Sequence, residues 1–401
     1  MKPRFIGYRA FQAAFNIGAR AFPWRKAALV EGAGSIARIP ELLAAEGVRR
    51  PLIVAGPVLT RTGLAGKITG ILESAGVAYS FFGETEPDPS VETVNKIAEI
   101  YRREDCGGFI AIGGGSSMDA AKGAAALIAR SNKTVSQLGG LLKVRRDIPP
   151  FIAVPTTAGT GSETTIAAVI TDTNTHHKYA IMDLKLIPKY AILDPDLTTG
   201  LPPHITAITG MDALTHAVEA YLCWTYNTKE STAFALDAVR RIFGNLEKAY
   251  RDGSDRDARL EMMRASYQAG FAFTRAGVGN VHALAHTLGG LYHTAHGLAN
   301  AVILPIVLDD YGEKVFPKLA RLAASAGVAR GVSDEEDAKL FTSAIRGLND
   351  RMGIPRGFDF IKEEDIPQMI NWALKEANPL YPVPVIYDRE RCGKVIESVR
   401  L

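Results

Sequence analysis

Four of the chain's eight histidines, His282, His286, His293 and His296, fall in the stretch GNVHALAHTLGGLYHTAHG at 279–297. His282 and His286 stand four apart, a spacing that puts both on one face of a helix. His296 follows after a Gly-Gly break. A second run, GMDALTHAVEAY at 210–221, repeats the spacing with Asp212 and His216. A single Asp/His pair of this kind reads as a hydrogen-bonded helix pair. Two such pairs in apolar helical runs read differently, because an ionisable group buried without a partner is costly. One divalent cation would satisfy a carboxylate and several imidazoles together, and an oxygen and nitrogen donor set without thiolate suits iron(II) or zinc without separating them.

A different chemistry is written in IAIGGGSSMDAAKGAA at 110–125. Gly113, Gly114 and Gly115 follow an apolar run and open an alanine-rich helix, so backbone N–H groups can approach a phosphate at a helix N-terminus. Ser116 and Ser117 add hydroxyls. The pattern is neither a P-loop nor GxGxxG, so a pyrophosphate site rests here on physical analogy. PTTAGTGSETT at 155–165 follows the next apolar run and offers Thr156, Thr157, Thr160 and Ser162. Two such loops at the carboxyl ends of strands fit one nucleotide held between them.

Elements able to position these groups follow in order. PLIVAG (51–56), GGFIAIGGG (107–115) and PPFIAVPTT (149–157) read as short buried strands, and LAGKITGILESAG and SVETVNKIAEIYRRE between the first two carry helical spacing. This alternation predicts a parallel sheet covered by helices. After LDPDLTTGLPP (193–203) the runs become long and helical. The expected organisation is therefore an α/β dinucleotide-binding domain over 27–197 and an all-helical domain over 198–401, preceded by an extension over 1–26. That extension holds Lys2, Arg4, Arg9, Arg20, Arg25 and Lys26 with no acidic residue before Glu31, and Phe5, Tyr8, Phe11, Phe15 and Phe22 at roughly helical intervals. It reads as an amphipathic helix docked on the body or on a partner subunit, with a transit peptide as the alternative.

The 401 residues are 47% hydrophobic and 22% charged, enough to bury two cores. A net charge of +3 without a long basic stripe gives no reason to expect nucleic acid. No run is apolar enough to span a bilayer. Three scattered cysteines, Cys106, Cys223 and Cys392, form neither a disulfide framework nor a zinc ribbon, and fit a reducing cytoplasm.

Taken together, GGGSSMDAAK, PTTAGTGSE, GMDALTHAVEAY and HALAHTLGGLYHTAHG closely resemble the iron-containing (group III) alcohol dehydrogenases, and the likeness runs from about Ala27 to the C-terminus. The resemblance implies a dehydroquinate synthase-like two-domain fold and a homo-oligomeric, NAD(P)-dependent enzyme that moves a hydride between an alcohol and an aldehyde or ketone. Asp212, His216, His282 and His296 would hold Fe(II), or Zn(II). His286 would sit beside the nicotinamide as a proton-relay residue, with His293 in the surroundings of the site. Gly113 to Ser117 would hold the pyrophosphate, Thr156, Thr157 and Thr160 would line the cofactor cleft, Lys178 in HHKYAIMD would lie on the cofactor side, and Phe273 would line the substrate pocket.

Two departures bear on specificity. Many members end the LIV strand with an aspartate for the ribose hydroxyls, whereas this chain has Gly56, which leaves room for the 2′-phosphate of NADP, with Arg61 nearby in sequence. Arg275 stands where a small polar residue is common, and reads either as a pocket cation favouring an anionic or polyhydroxylated substrate or as a salt-bridged arginine. Enzymes of the same plan that act on phosphorylated polyols, or dehydroquinate synthase itself, need several cations near the metal, and 210–221 and 279–297 contain no Lys or Arg. A catalytically inactive interaction protein would be expected to lack part of the ligand set, which is complete here.

Overall fold

The computed structural model describes residues 2–173 and 177–401, with His177 described in its backbone only. The chain forms two compact units, Pro23–Gly200 and Leu201–Leu401, and the first 22 residues group with the second.

In the first unit, six parallel strands form one sheet. They are β1 (Ala28–Glu31), β2 (Pro51–Val54), β3 (Ser80–Phe82), β4 (Gly108–Gly113), β6 (Phe151–Pro155) and β9 (Tyr190–Leu193), in the order β1-β9-β6-β4-β2-β3. β2, β4 and β6 are buried at every position, which is why they read as unbroken apolar runs rather than as alternating ones. The helix Val91–Arg103 shows how the connections form. Ser90 caps it by accepting from the Thr93 N–H, and Val94, Ile97, Ala98 and Tyr101 recur at helical spacing on its buried face. A small second sheet of β5 (Gly140–Leu141), β7 (Ala167–Asp172) and β8 (His177–Met182), with β7 and β8 antiparallel, has no counterpart in the expected pattern. Its central pairing sets the short apolar runs Ala167–Ile170 and Tyr179–Met182 against each other, with polar Thr171, Asp172 and Lys178 beyond them.

The second unit is helical. Its central helix, Pro203–Leu222, is buried almost throughout from Thr206 onward, and it is ringed by Lys229–Arg251, Arg256–Ala276 and His296–Tyr311. The helix Pro3–Arg20 lies against this unit through polar contacts: fully buried Gln12 donates to the carbonyls of Pro379 and Tyr381, and Arg9 to that of Pro384.

Candidate metal centre

Asp212 and His216 lie one turn apart on the buried face of Pro203–Leu222. His282 comes from Asn280–Tyr292, and His296 is the first residue of His296–Tyr311. Exposed His293 turns the chain between these two helices with φ 54° in the left-handed region. Gly297 lets the last helix close in, because a methyl group there would come within 2.2 Å of the Ile208 carbonyl oxygen and 3.3 Å of Asp212 Cβ. One donor atom from each of Asp212, His216, His282 and His296 then lies within 4.8 Å of every other.

All four groups present lone pairs to one small volume. Asp212 Oδ1 is 3.4 Å from His296 Nε2, and the rings of His216 and His282 stack at 4.5 Å. Burial, followed by the neighbouring His216, His296 and His286, holds His282 well below its ordinary pKa, so it stays neutral, the form that ligates. Such a crowd of acceptors is repulsive on its own and fits a cation among them. Asp212 and His282 side chains are only 4% and 3% exposed, whereas His296 is 39% exposed, so the donor set is closed on one side and open on the other. An open side is what a catalytic site needs for substrate, in contrast to a purely structural one.

Three residues complete the centre that the motif reading missed. Glu219, one turn beyond His216, lies with Oε2 2.6 Å from His282 Nδ1 and also accepts from the Gly279 and Val281 N–H groups. Those two backbone donors require acceptor oxygens, so Nδ1–H of His282 is the donor and Nε2 keeps its lone pair for the cluster. Burial pushes the Glu219 carboxyl up, and the N–H groups of Gly279, Val281 and His282 pull it back towards the ionised form. Asn300 Nδ2 donates to Asp212 Oδ1 at 2.7 Å and lies 3.3 Å and 3.1 Å from Nε2 of His282 and His296. Glu376 receives His286 Nδ1 at 2.6 Å and the Tyr381 hydroxyl at 2.7 Å on the same oxygen. Burial alone would raise Glu376, but the charge and hydrogen bond of His286, with the Tyr381 bond, lower it. The spacing H-A-V-E at 216–219 could have pointed to Glu219. Glu376 is 90 residues from His286 and gave no signal.

His286 lies outside the ligand group, with its ring 5.1 Å from that of His296 and its side chain 44% exposed. Phe273 stacks on His216 at 4.1 Å. Arg275 is half-buried. Burial lowers its pKa, and the carboxylate of Glu230 opposes that shift.

In the α/β unit the two loops pack against each other. Gly113 has φ +150°, and a side chain there would meet Ser117 Oγ at 2.5 Å. Methyl groups at Gly114 and Gly115 would come within 3.1 Å of Thr157 Oγ1 and Thr160 Cγ2, and the Thr156 N–H donates to the Gly113 carbonyl. Ser116 and Ser117 lie in the first turn of the helix Gly115–Ala129. Gly56 caps the helix Pro57–Arg61, where a Cβ would sit 3.1 Å from the Thr85 carbonyl oxygen and 3.9 Å from Ser117 Oγ. Arg61 is exposed at the end of that short helix. Lys178, on β8, is paired with Asp88 at 2.7 Å.

Beneath the loops, five oxygens, Ser162 O and Oγ, Thr165 O and Oγ1, and Ala167 O, surround the three N–H groups of the fully buried Lys122 ammonium at 2.5–3.1 Å. Asp119, one turn earlier, accepts from Ser162 Oγ and the Val169 N–H. Burial lowers Lys122 to about 8 although Asp119 and Glu163 oppose it. This pair ties the second loop to the helix that carries the first.

A parallel α/β unit with a glycine loop, joined in one chain to a helical unit with an Asp-His-His-His cluster, is the plan of an enzyme that works with a dinucleotide and a metal ion. Residues 27–195 match the family model "Iron-containing alcohol dehydrogenase", and residues 206–399 match "Fe-containing alcohol dehydrogenase family, C-terminal". The chain is 36% identical to the NAD-dependent methanol dehydrogenase of Bacillus methanolicus over 87% of this chain and 92% of that protein. It is likewise 36% identical to the NADPH-dependent butanol dehydrogenase of Clostridium saccharobutylicum, over 81% and 82% respectively. A solved structure of a 1,3-propanediol oxidoreductase superposes with a TM-score of 0.90 at 35% identity, covering 95% of this chain and all of the other. The chain belongs to the iron-containing alcohol dehydrogenase family. It is an oxidoreductase that interconverts alcohols and carbonyl compounds with a nicotinamide dinucleotide as hydride carrier.

Proposed function

We propose that Asp212, His216, His282 and His296 hold one Fe(II) ion, with Zn(II) as the alternative, and that the substrate is a small uncharged alcohol or its aldehyde. The convergence of four donor atoms within 4.8 Å carries this reading. When bound, the metal supplies Lewis-acid stabilisation of negative charge on the substrate oxygen, and the nicotinamide supplies the hydride acceptor or donor. Glu219 fixes the ring of His282, and Asn300 orients the carboxylate of Asp212. His286, held by Glu376, accepts the proton lost when the alcohol is oxidised and returns it when a carbonyl is reduced. Phe273 forms an apolar wall beside His216.

Gly113, Gly114, Gly115, Ser116 and Ser117 bind the pyrophosphate through backbone N–H groups, and Thr156, Thr157 and Thr160 line the same cleft. Lys178 serves the cofactor side once released from Asp88. Gly56 removes the carboxylate that would repel a 2′-phosphate, so NADP(H) is the expected cofactor and NAD(H) the weaker one. Arg275 admits a second reading, an anionic or polyhydroxylated substrate, but the opposing charge of Glu230 favours a structural role. Three buried, unpaired cysteines support a reducing, cytoplasmic setting, and a homo-oligomer is the expected state.

Initial rates with short aldehydes and with NADPH and NADH in parallel test the assignment. Faster turnover with NADPH on uncharged aldehydes is expected. Activity confined to phosphorylated or carboxylated carbonyls would contradict the substrate class, and a strong NADH preference would contradict the role given to Gly56.

A further inference from the structure

The helix Pro3–Arg20 is amphipathic the wrong way round for a helix that simply covers a core. Its inner face is anchored by polar side chains: Gln12 on two carbonyls, Asn16 on Thr225 Oγ1, and Arg9 on the Pro384 carbonyl with its guanidinium 4.7 Å above the Trp224 ring. Phe15 adds one ring contact, 5.5 Å from Tyr226. The outer face carries Ile6, Ala10, Phe11, Ala13, Ala14 and Ile17, all exposed, and between Arg4 and Arg20 no exposed position of the helix is polar. Ile6 is 56%, Phe11 44% and Ile17 72% exposed. The helix also lies outside the residues matched by the family models, which begin at 27.

Charge identifies what covers this face. Arg4 and Arg20 are exposed at its two ends, about 24 Å apart along the axis. No acidic residue precedes Glu31. Two copies of the helix packed face to face would bring arginine against arginine, end to end in the antiparallel arrangement and side by side in the parallel one, with no helix carboxylate to offset them. An anionic bilayer surface complements the helix: it takes the apolar stripe into the headgroup and acyl boundary and places both arginines among lipid phosphates, while the carboxylate beside Arg4, Asp388, is already paired with Lys2 at 2.7 Å. The helix need not span for this, and among the described residues no helix is long and apolar enough to cross a membrane.

We infer that the helix Pro3–Arg20 docks the enzyme reversibly on anionic phospholipid membranes, lying flat with Ile6, Phe11 and Ile17 inserted. Catalysis at the bilayer surface would then favour carbonyl substrates that partition into lipid.

The test is co-sedimentation of the full-length enzyme with sucrose-loaded vesicles of phosphatidylcholine alone and with about 30% phosphatidylglycerol, at low and high salt. The expected result is binding to the anionic vesicles that weakens with salt and falls about tenfold or more in Ile6→Ser/Phe11→Ser/Ile17→Ser, whose inner anchors are intact. Arg4→Glu/Arg20→Glu should lose binding while activity on soluble aldehydes stays at the wild-type level. No binding to anionic vesicles, or binding unchanged in the triple variant, overturns the inference. So does sedimentation velocity in which the triple variant breaks a wild-type oligomer, which would assign the face to a second copy of the chain.

Discussion

Glu219 Oε2 lies 2.6 Å from Nδ1 of His282, and both side chains are almost wholly buried. The contact fixes the histidine's tautomer and ring orientation, so its other nitrogen points into the donor cluster before any metal arrives. Replacing Glu219 with Gln keeps the volume but turns one acceptor oxygen into a donor facing N–H groups. A 10- to 100-fold weaker metal affinity is expected, by chelator competition, without loss of the fold. Unchanged affinity would show that the ring is held by packing alone.

His286 and Glu376 form the second coupled pair, and their contribution should be kinetic. His286→Ala is expected to lower kcat by about 100-fold, with metal content per chain unchanged. Glu376→Gln should give a smaller loss and displace the pH profile of kcat. Loss of metal in either variant would move the pair from proton transfer to ligand support.

Lys122 separates cofactor binding from metal binding. Lys122→Met removes the ammonium that five oxygens surround and leaves Asp119 and Glu163 without their cation. Misplacement of the Thr156–Thr160 loop should raise the cofactor KM by about tenfold while metal stoichiometry stays the same. A cofactor KM like that of the wild type would show that the loop holds its shape without the lysine.

Acid stability should depend on Asp237. Burial raises this carboxyl, but bonds from Arg241, Gln268 and Arg240 outweigh it and bring the pKa down to about 2. The folded value lies below the unfolded one, so the stabilisation is complete at neutral pH and fades as pH falls below about 4 towards 2. Asp237→Asn should cost on the order of 1–2 kcal/mol at pH 7 in urea unfolding, with the gap to wild type narrowing near pH 3. A gap independent of pH would remove the charge from the explanation.

Much of this site was legible in the sequence because its chemistry sits on local spacings. Asp212 and His216, and His282 and His286, are each one helical turn apart, and Gly113 to Gly115 follow a strand buried on both faces. The groups that hold the site are different. Glu376 reaches His286 across 90 residues, and Asn300 reaches His282 across 18, contacts that only tertiary packing creates. The β5-β8-β7 sheet is harder to read because its apolar runs, Ala167–Ile170 and Tyr179–Met182, are only four residues long, too short to separate strand from helix by period. The helix Pro3–Arg20 was legible as amphipathic, but which of its faces is buried was not, because polar anchors such as Gln12 read as solvent-facing.

The most direct measurement is metal content and turnover on the same preparations of wild type, Asp212→Ala and His282→Ala, purified at low oxygen without added metal. About one iron or zinc per chain in wild type, with metal and aldehyde reduction lost together in both variants, is the expected result. A variant that lacks metal yet keeps full activity would contradict the metal centre and the mechanism built on it.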